Sequence, residues 1–209
     1  MTNLQKALLY IFLIFAVIFI VSIPFKPYTY SFIIKVIPTL SLVALAFIAV
    51  SGSRGKLLFT SLLFCAAADV ALEIAGGKYF IIGLGLYLIA HIMFIITFSR
   101  DLKPQKSRIP VITMLIVYAT IMAFVLTPYL KDMTIPVYIY LTAITLMAVF
   151  AALRDSRNDF TLYGAIAFVV SDSILAINKF MMPVTAADYL VMITYYLSLF
   201  LIVYGFLKD

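Results

Sequence analysis

The sequence predicts an all-α integral membrane protein, and three observations support this fold class. Hydrophobic side chains make up 66% of the 209 residues, whereas charged side chains make up only 11%. An ordinary soluble domain carries about 25% charged residues, so that class is excluded. The apolar residues also form eight runs of near-spanning length. Eight helices of about 20 residues use about 160 positions, which leaves no room for a separate soluble catalytic domain.

The eight runs predict eight transmembrane helices in a single polytopic domain that covers residues 1–209. Pro and Gly, which commonly end helices, lie at most of the breaks between runs. Asp159 is predicted to cap the seventh helix, and Thr185 with Asp188 predicts a capping box before the eighth. The predicted spans are 4–22, 32–50, 56–75, 79–98, 109–127, 135–153, 160–177 and 189–207. A cleaved signal peptide is the weaker interpretation of the first run, which has one Lys and Pro24 behind it.

The basic residues predict the orientation, because cytoplasmic loops retain positive charge. With the N-terminus inside, ten of the 15 Lys and Arg residues fall on that side. Both termini are therefore predicted to be cytoplasmic, and a bacterial protein of this kind would lie in the cytoplasmic membrane. The basic residues are scattered through short loops, so a nucleic-acid partner is not expected. Those predicted on the outer side are Lys26, Lys35, Lys78, Lys131 and Lys179.

A short internal similarity favours a tandem four-plus-four helix repeat. The segment from Ala68 to Leu72 resembles the segment from Ser171 to Leu175, 103 positions later. Because four helices separate the two segments, both halves would have the same orientation in the membrane. Chance similarity between two apolar helices is the alternative explanation.

Two aspartates, Asp69 in the third span and Asp172 in the seventh, are the strongest functional candidates. Ionisable groups are costly in hydrocarbon and suggest function by default. Each aspartate lies 13 residues past an inner helix start, at Lys56 and Asp159, which predicts equal depth in the outer half. A single aspartate could simply bond to a neighbouring helix and fix its packing. Two carboxylates at one depth repel and must both be desolvated, so function explains the pair better.

Two further ionisable residues could line the same pocket. Glu73 is four residues beyond Asp69 on one helical face, and Lys179 is seven beyond Asp172 on the matching face. If the third and seventh helices adjoin, these residues build one acidic pocket with a cation at its rim.

Aromatic, amide and imidazole side chains are supporting candidates, each with a structural alternative. Tyr195 and Tyr196 could turn hydroxyls into the pocket, whereas an interfacial belt accounts for most of the other tyrosines, such as Tyr28 and Tyr129 near run ends. Solvated helix ends explain Glu73 and Asn178 equally well. His91, the only histidine, is predicted about 10 Å closer to the cytoplasm than the aspartates. A buried core histidine is therefore as good an interpretation as a catalytic one.

The composition excludes several kinds of site. The single cysteine, Cys65, rules out an intramolecular disulfide and a cysteine-based zinc cluster. One histidine cannot make a three-histidine zinc site, and no Gly-x-Ser-x-Gly nucleophile elbow is present. The sequence indicates neither a metal nor an organic cofactor.

Four strings in the third, fourth, seventh and eighth helices together resemble the lysoplasmalogenases, a family of multi-pass membrane proteins with eight spans. The seventh-helix string is the most specific of the four. The strings are Asp69 to Leu72, Gly83 to Tyr87 with Ala90 and His91, Phe168 to Phe180, and Thr194 to Leu197. The family often has a Gly before the first Asp, a Tyr in the fourth helix and a Gln in the eighth. This chain departs from it at these three positions, where it has Ala68, Phe94 and Leu199.

The resemblance implies hydrolysis of the vinyl ether bond of a lysoplasmalogen, a lysophospholipid drawn from membrane lipids. The products would be a fatty aldehyde and a glycerophospho-headgroup. Protonation of the outer alkene carbon leaves an oxocarbenium ion that water attacks. The reaction therefore needs a carboxylic acid that donates the proton and an ionised carboxylate that stabilises the cation or activates water. Asp69 and Asp172 would supply this pair in either order. Lys78 or Lys179 could hold the phosphate as a point charge.

Two other function classes compete with the hydrolase. A proton-coupled transporter or channel would use the same carboxylates as relays. Such folds often have Gly or Pro in mid-span, whereas the prolines here cluster at run ends, with Pro38 the deepest. A metal-dependent lipid phosphotransferase ranks last, because no Asp-x-x-Asp cluster occurs in a span. Loss of aldehyde release in Asp69→Asn would indicate the hydrolase, and substrate-dependent proton flux would indicate the transporter.

Overall fold

The structure, a computed structural model, describes residues 1–26, 28–74 and 79–209. In these residues the regular structure is helical, with one isolated β-bridge between Leu102 and Arg154 and no strand. The predicted all-α class is confirmed. The chain divides into two compact units, Met1–Thr97 and Phe98–Asp209, and each is considered by itself below.

The first unit is built from α1 (Asn3–Ser22), α2 (Ser31–Ala49), α3 (Gly52–Glu73) and α4 (Phe80–Phe98), whose last residue passes the unit boundary. Thr2 begins α1 with a capping box, in which its hydroxyl accepts from the Gln5 backbone N–H and the Gln5 side chain accepts from the Thr2 N–H. Pro38 lies inside α2. A proline removes one backbone donor from the helix.

The second unit is built from α5 (Ile109–Leu130), α6 (Thr134–Leu153), α7 (Phe160–Ala176) and α8 (Ala187–Leu207). A π-helical turn, Ile177–Met181, follows α7 directly. Helices α5 and α6 pack against each other, and the hydroxyls of Thr127 and Tyr138 lie 2.5 Å apart.

A buried arginine joins three segments at one end of the second unit. Arg154 follows α6, and its guanidinium donates to the hydroxyl of Thr161 and pairs with Asp209. The same group lies 3.8 Å from the centre of the Phe206 ring. Pairing and ring contact offset the cost of burying this cation.

The number of spanning segments differs from the prediction of eight. Seven helical segments within the described ranges are long and apolar enough to cross a membrane. The difference arises at the predicted fifth and sixth spans, because a 3-10 turn, Lys131–Met133, joins α5 to α6 without a helix break. The result is one continuous helical segment of 48 residues, from Lys106 to Leu153.

Two predicted helix caps are wrong, for different reasons. Asp159 occupies the cap position of α7, but its carboxylate binds Arg108 instead of the helix. The Asn158 side chain accepts from the N–H of Phe160 in its place. Thr185 does not cap α8, because the helix begins at Ala187 after a left-handed Ala186.

Candidate functional site

Asp69 is the most deeply buried carboxyl group of the first unit. It lies on α3, four residues before the helix ends at Glu73, and its exposed fraction is 0%. Its Oδ2 accepts a hydrogen bond from the Thr39 hydroxyl of α2 at 2.7 Å, and its Oδ1 accepts one from the Tyr87 hydroxyl of α4 at 2.7 Å. Two neighbouring helices, α2 and α4, therefore supply hydroxyl groups to this one carboxyl of α3.

Polar residues at intervals of four form two facing rows on α2 and α3. Residues four apart share one helical face, which places Ser31, Lys35 and Thr39 in a row on α2 and Asp69 and Glu73 in a row on α3. Thr39 bonds to the aspartate, and the other two α2 residues bond to the glutamate. The sequence predicts the alignment of the two α3 acids, whereas their pairing with this row of α2 depends on how the helices pack.

Glu73 is held in an ion cluster and does not lie at a solvated helix end. Its Oε1 is 2.6 Å from the Lys26 ammonium and accepts from the Ser31 hydroxyl at 2.9 Å, and its Oε2 is 3.3 Å from the Lys35 ammonium. The Glu73 side chain is only 7% exposed. Lys35 lies inside a predicted span, and a cation within a membrane needs a counter-charge. This lysine is therefore the feature of the sequence that indicates the ion cluster.

His91 is completely buried on α4. It follows Tyr87 by four residues on the same helical face, about 6 Å further along the axis. Because Tyr87 bonds to Asp69, the histidine is only one helical turn beyond a residue that touches the aspartate.

Asp172 of the second unit has a similar local setting. It lies four residues before α7 ends at Ala176 and is partly buried, and its Oδ2 accepts a hydrogen bond from the Tyr140 hydroxyl of α6 at 2.5 Å. Asp69 likewise accepts a hydroxyl from the helix before its own, that of Thr39 on α2. Threonine and tyrosine are too common in membrane helices for either partner to be singled out from sequence.

The polar residues after Asp172 lie in the π-helical turn. The Asn178 side-chain oxygen accepts from the backbone N–H of Val184 at 2.9 Å, so this residue fixes the loop that leads to α8. Lys179 is exposed in the same turn. Short π-helical turns occur frequently at functional sites.

Tyr195 and Tyr196 are both buried on α8. The Tyr195 ring packs edge-on against Phe168 of α7, with centroids 5.5 Å apart and planes at 77°. The two tyrosine rings are 5.6 Å apart. These contacts place both phenols in the α7–α8 core of the second unit.

The structure brings together some of the candidate residues within each unit. Asp69 and Glu73 both lie in the facing polar rows of α2 and α3, which are together called the polar wall below. Asp172 belongs to the other unit, so the predicted common pocket stays a prediction. Lys78 lies outside the described residues. Within the described parts of the chain, no group of three or more His, Cys, Asp or Glu residues is arranged to hold a metal ion.

Comparison with known proteins identifies two kinds of relative. A model of the YhhN family matches residues 30–206. Proteins named lysoplasmalogenase from Mycobacterium bovis and Mycobacterium tuberculosis are each 31% identical over 137 residues, which cover 63% of this chain and 52% of each relative. The chain therefore spans about half the length of these curated relatives. No solved structure matches the chain significantly.

Proposed function

The chain belongs to the YhhN family, and from this premise we propose that it is a membrane hydrolase that cleaves the vinyl ether bond of lysoplasmalogen-type lipids. The mycobacterial relatives named lysoplasmalogenase support the substrate class. The main structural support is Asp69, a buried carboxyl group in an apolar helix with hydroxyl donors at both oxygens. A carboxyl group so placed in a membrane is costly and suggests function.

The proposed reaction consumes one water and needs no redox step. A carboxylic acid protonates the outer carbon of the vinyl ether, and the positive charge is shared between the inner carbon and the ether oxygen. Water adds to the inner carbon and gives its proton to the ionised carboxylate; the cycle closes when this group releases that proton to solvent and the first carboxylate takes one up from solvent. The resulting hemiacetal separates into a fatty aldehyde and the glycerol hydroxyl of the headgroup product.

Hydrogen-bonding capacity favours one assignment of the two acids. An ionised carboxylate has only acceptor sites, on both oxygens, and two hydroxyl donors therefore suit that form best. Asp69 accepts hydroxyls at Oδ1 and Oδ2, so we assign it to stabilise the oxocarbenium ion and to activate water. Asp172 is then the proton donor.

Aldehyde release from a lysoplasmenyl lipid by the detergent-purified protein tests this proposal. We expect Asp172→Ala to lower the rate by about two to three orders of magnitude, the usual share of a general acid. Added formic acid should restore part of the rate in Asp172→Ala, because a small acid can replace the missing donor.

Two results would contradict the hydrolase proposal. A folded wild-type protein that releases no aldehyde would remove the activity itself. Substrate-dependent proton flux in liposomes would then favour a transporter that uses the same carboxylates.

We also propose that the 48-residue segment Lys106–Leu153 crosses the membrane twice, which restores eight spans. At about 1.5 Å per residue a straight helix of this length would reach about 72 Å, more than twice the hydrocarbon thickness of about 30 Å. Lys131 has a positive φ of 47°, and α5 packs against α6 on either side of it. Two units of four helices each, with Asp69 and Asp172 similarly placed, also support the tandem repeat, and an even number of spans puts both termini on the same side of the membrane.

Cysteine labelling tests the double crossing. Asp132→Cys in the α5–α6 turn should react with a membrane-impermeant maleimide from outside intact cells. Asp155→Cys, beyond α6, should react only after the membrane is opened. Both variants are made in a Cys65→Ala background, which removes the single native thiol. Labelling of both positions from the same side would exclude two crossings.

A further inference from the structure

Two lysines converge on one carboxylate at the end of α3. Glu73 pairs with Lys26 at 2.6 Å and with Lys35 at 3.3 Å, and Ser31 donates to it at 2.9 Å. These four residues are called the lysine cluster below. It lies directly beyond Asp69 along the polar wall of α2 and α3.

The charge and accessibility of the lysine cluster suit an anion. The ammonium groups of Lys26 and Lys35 are matched by the carboxylates of Glu73 and Asp69, and the most exposed of these four charges is the Lys26 ammonium, which can bind an anion. The side chains of Glu73 and Lys35 are only 7% and 9% exposed, whereas that of Lys26 is 27% exposed. Lys26 is therefore the member that a ligand can reach.

The distance from Asp69 to the lysine cluster matches the size of a lysophospholipid headgroup. Asp69 and Glu73 are one helical turn apart, about 6 Å along α3. Six covalent bonds separate the inner vinyl carbon of a lysoplasmalogen from its phosphorus, which is about 7 Å when extended. A lipid with its vinyl ether at Asp69 can therefore place its phosphate beside the Lys26 ammonium.

We propose that the lysine cluster, through Lys26, binds the phosphodiester of a lysophospholipid whose reacting bond lies at Asp69. This inference rests on the proposed function and adds the headgroup subsite to it. Lys26 precedes the region of the chain that the family model matches, residues 30–206, so the match does not itself assign it. The sequence had pointed instead to Lys78 or Lys179.

Binding of two lipids that cannot be hydrolysed tests the subsite independently of the reaction. The first probe is a saturated alkyl lysophosphoethanolamine, and the second is the matching alkylglycerol without phosphate. Lys26→Gln should weaken binding of the first probe about tenfold and leave binding of the second unchanged. Lys26→Arg keeps the charge and should bind as the wild type does. Lys6→Gln, at the opposite end of α1, makes the same charge change and should have no effect.

Unchanged binding of the phospholipid by Lys26→Gln would overturn the subsite. Equal loss of both probes in Lys26→Gln would also overturn it, because the lysine would then serve folding alone. Displacement of the phospholipid by inorganic phosphate at equal concentration would assign the cluster to free phosphate instead.

Kinetics separate this inference from the proposed function. With a lysoplasmenyl substrate, Lys26→Gln should raise KM and leave kcat unchanged. Lys26-dependent binding without aldehyde release would refute the hydrolase and keep the phosphate subsite. Aldehyde release with an unchanged KM in Lys26→Gln would refute the subsite and keep the hydrolase.

Discussion

Replacement of Asp69 with Asn should lower aldehyde release by about three orders of magnitude while the protein remains folded. The amide has nearly the same shape and keeps one acceptor oxygen for the hydroxyls of Thr39 and Tyr87. It cannot carry a negative charge beside the oxocarbenium ion or accept a proton from water. A group that transfers protons in a transition state typically contributes about 10²- to 10⁴-fold.

The effect is measured as kcat for a lysoplasmenyl lipid, with thermal unfolding as the check on folding. Asp188→Asn is the matched control, because it makes the same change at an exposed position at the start of α8 and should keep full activity. Tyr87→Phe removes one hydroxyl from Asp69 and should give a smaller loss. Wild-type kcat in Asp69→Asn would exclude this carboxyl from the chemistry.

The fold class and the principal acids could be predicted from sequence because they depend on strong local signals. Apolar runs near 20 residues with helix-ending Pro and Gly between them predict spanning helices directly. A charged residue within such a run is conspicuous, which is why Asp69 and Glu73 could be identified and aligned on one face of α3. The structure then shows both in the polar wall of the first unit.

The partners of these acids could not be predicted, because they depend on which helices pack together. Thr39 and Tyr87 are 30 and 18 residues from Asp69 in sequence, and neither residue type is unusual in a membrane helix. The charge count places Lys35 on the outer side, although the structure buries this residue against Glu73. Lys35 differs from a loop lysine because it is buried and has a counter-ion. Both features depend on how the helices pack together.

The helix caps were predicted less well, because other partners compete for the side chains that could cap a helix. Asp159 has the right type and place for a cap, but a long-range partner, Arg108, takes its carboxylate. The joined α5–α6 segment shows a different effect, since the turn between the two predicted spans is itself a short 3-10 helix. A break in the apolar pattern therefore need not be a break in the helical structure.

The last prediction concerns Gly164, where α7 lies in close contact with α8. A Cβ atom there would lie 2.7 Å from the Ser198 carbonyl oxygen and 2.8 Å from the Ile202 backbone nitrogen. Both neighbours are backbone atoms of α8, so the helix itself must move. Gly164→Ala should therefore destabilise the protein by about 1–3 kcal/mol, the usual cost of overpacking.

Gly85→Ala is the matched control, because nothing lies within 4 Å of a Cβ built on Gly85 of α4. Alanine has a higher helix propensity than glycine, so this variant should be neutral or more stable by up to about 1 kcal/mol. Thermal unfolding in detergent compares the two. Phe168, one turn after Gly164, packs on Tyr195, so Gly164→Ala should also change the near-ultraviolet circular dichroism of the tyrosines. Equal unfolding temperatures for the two variants would show that α7 and α8 do not pack this closely.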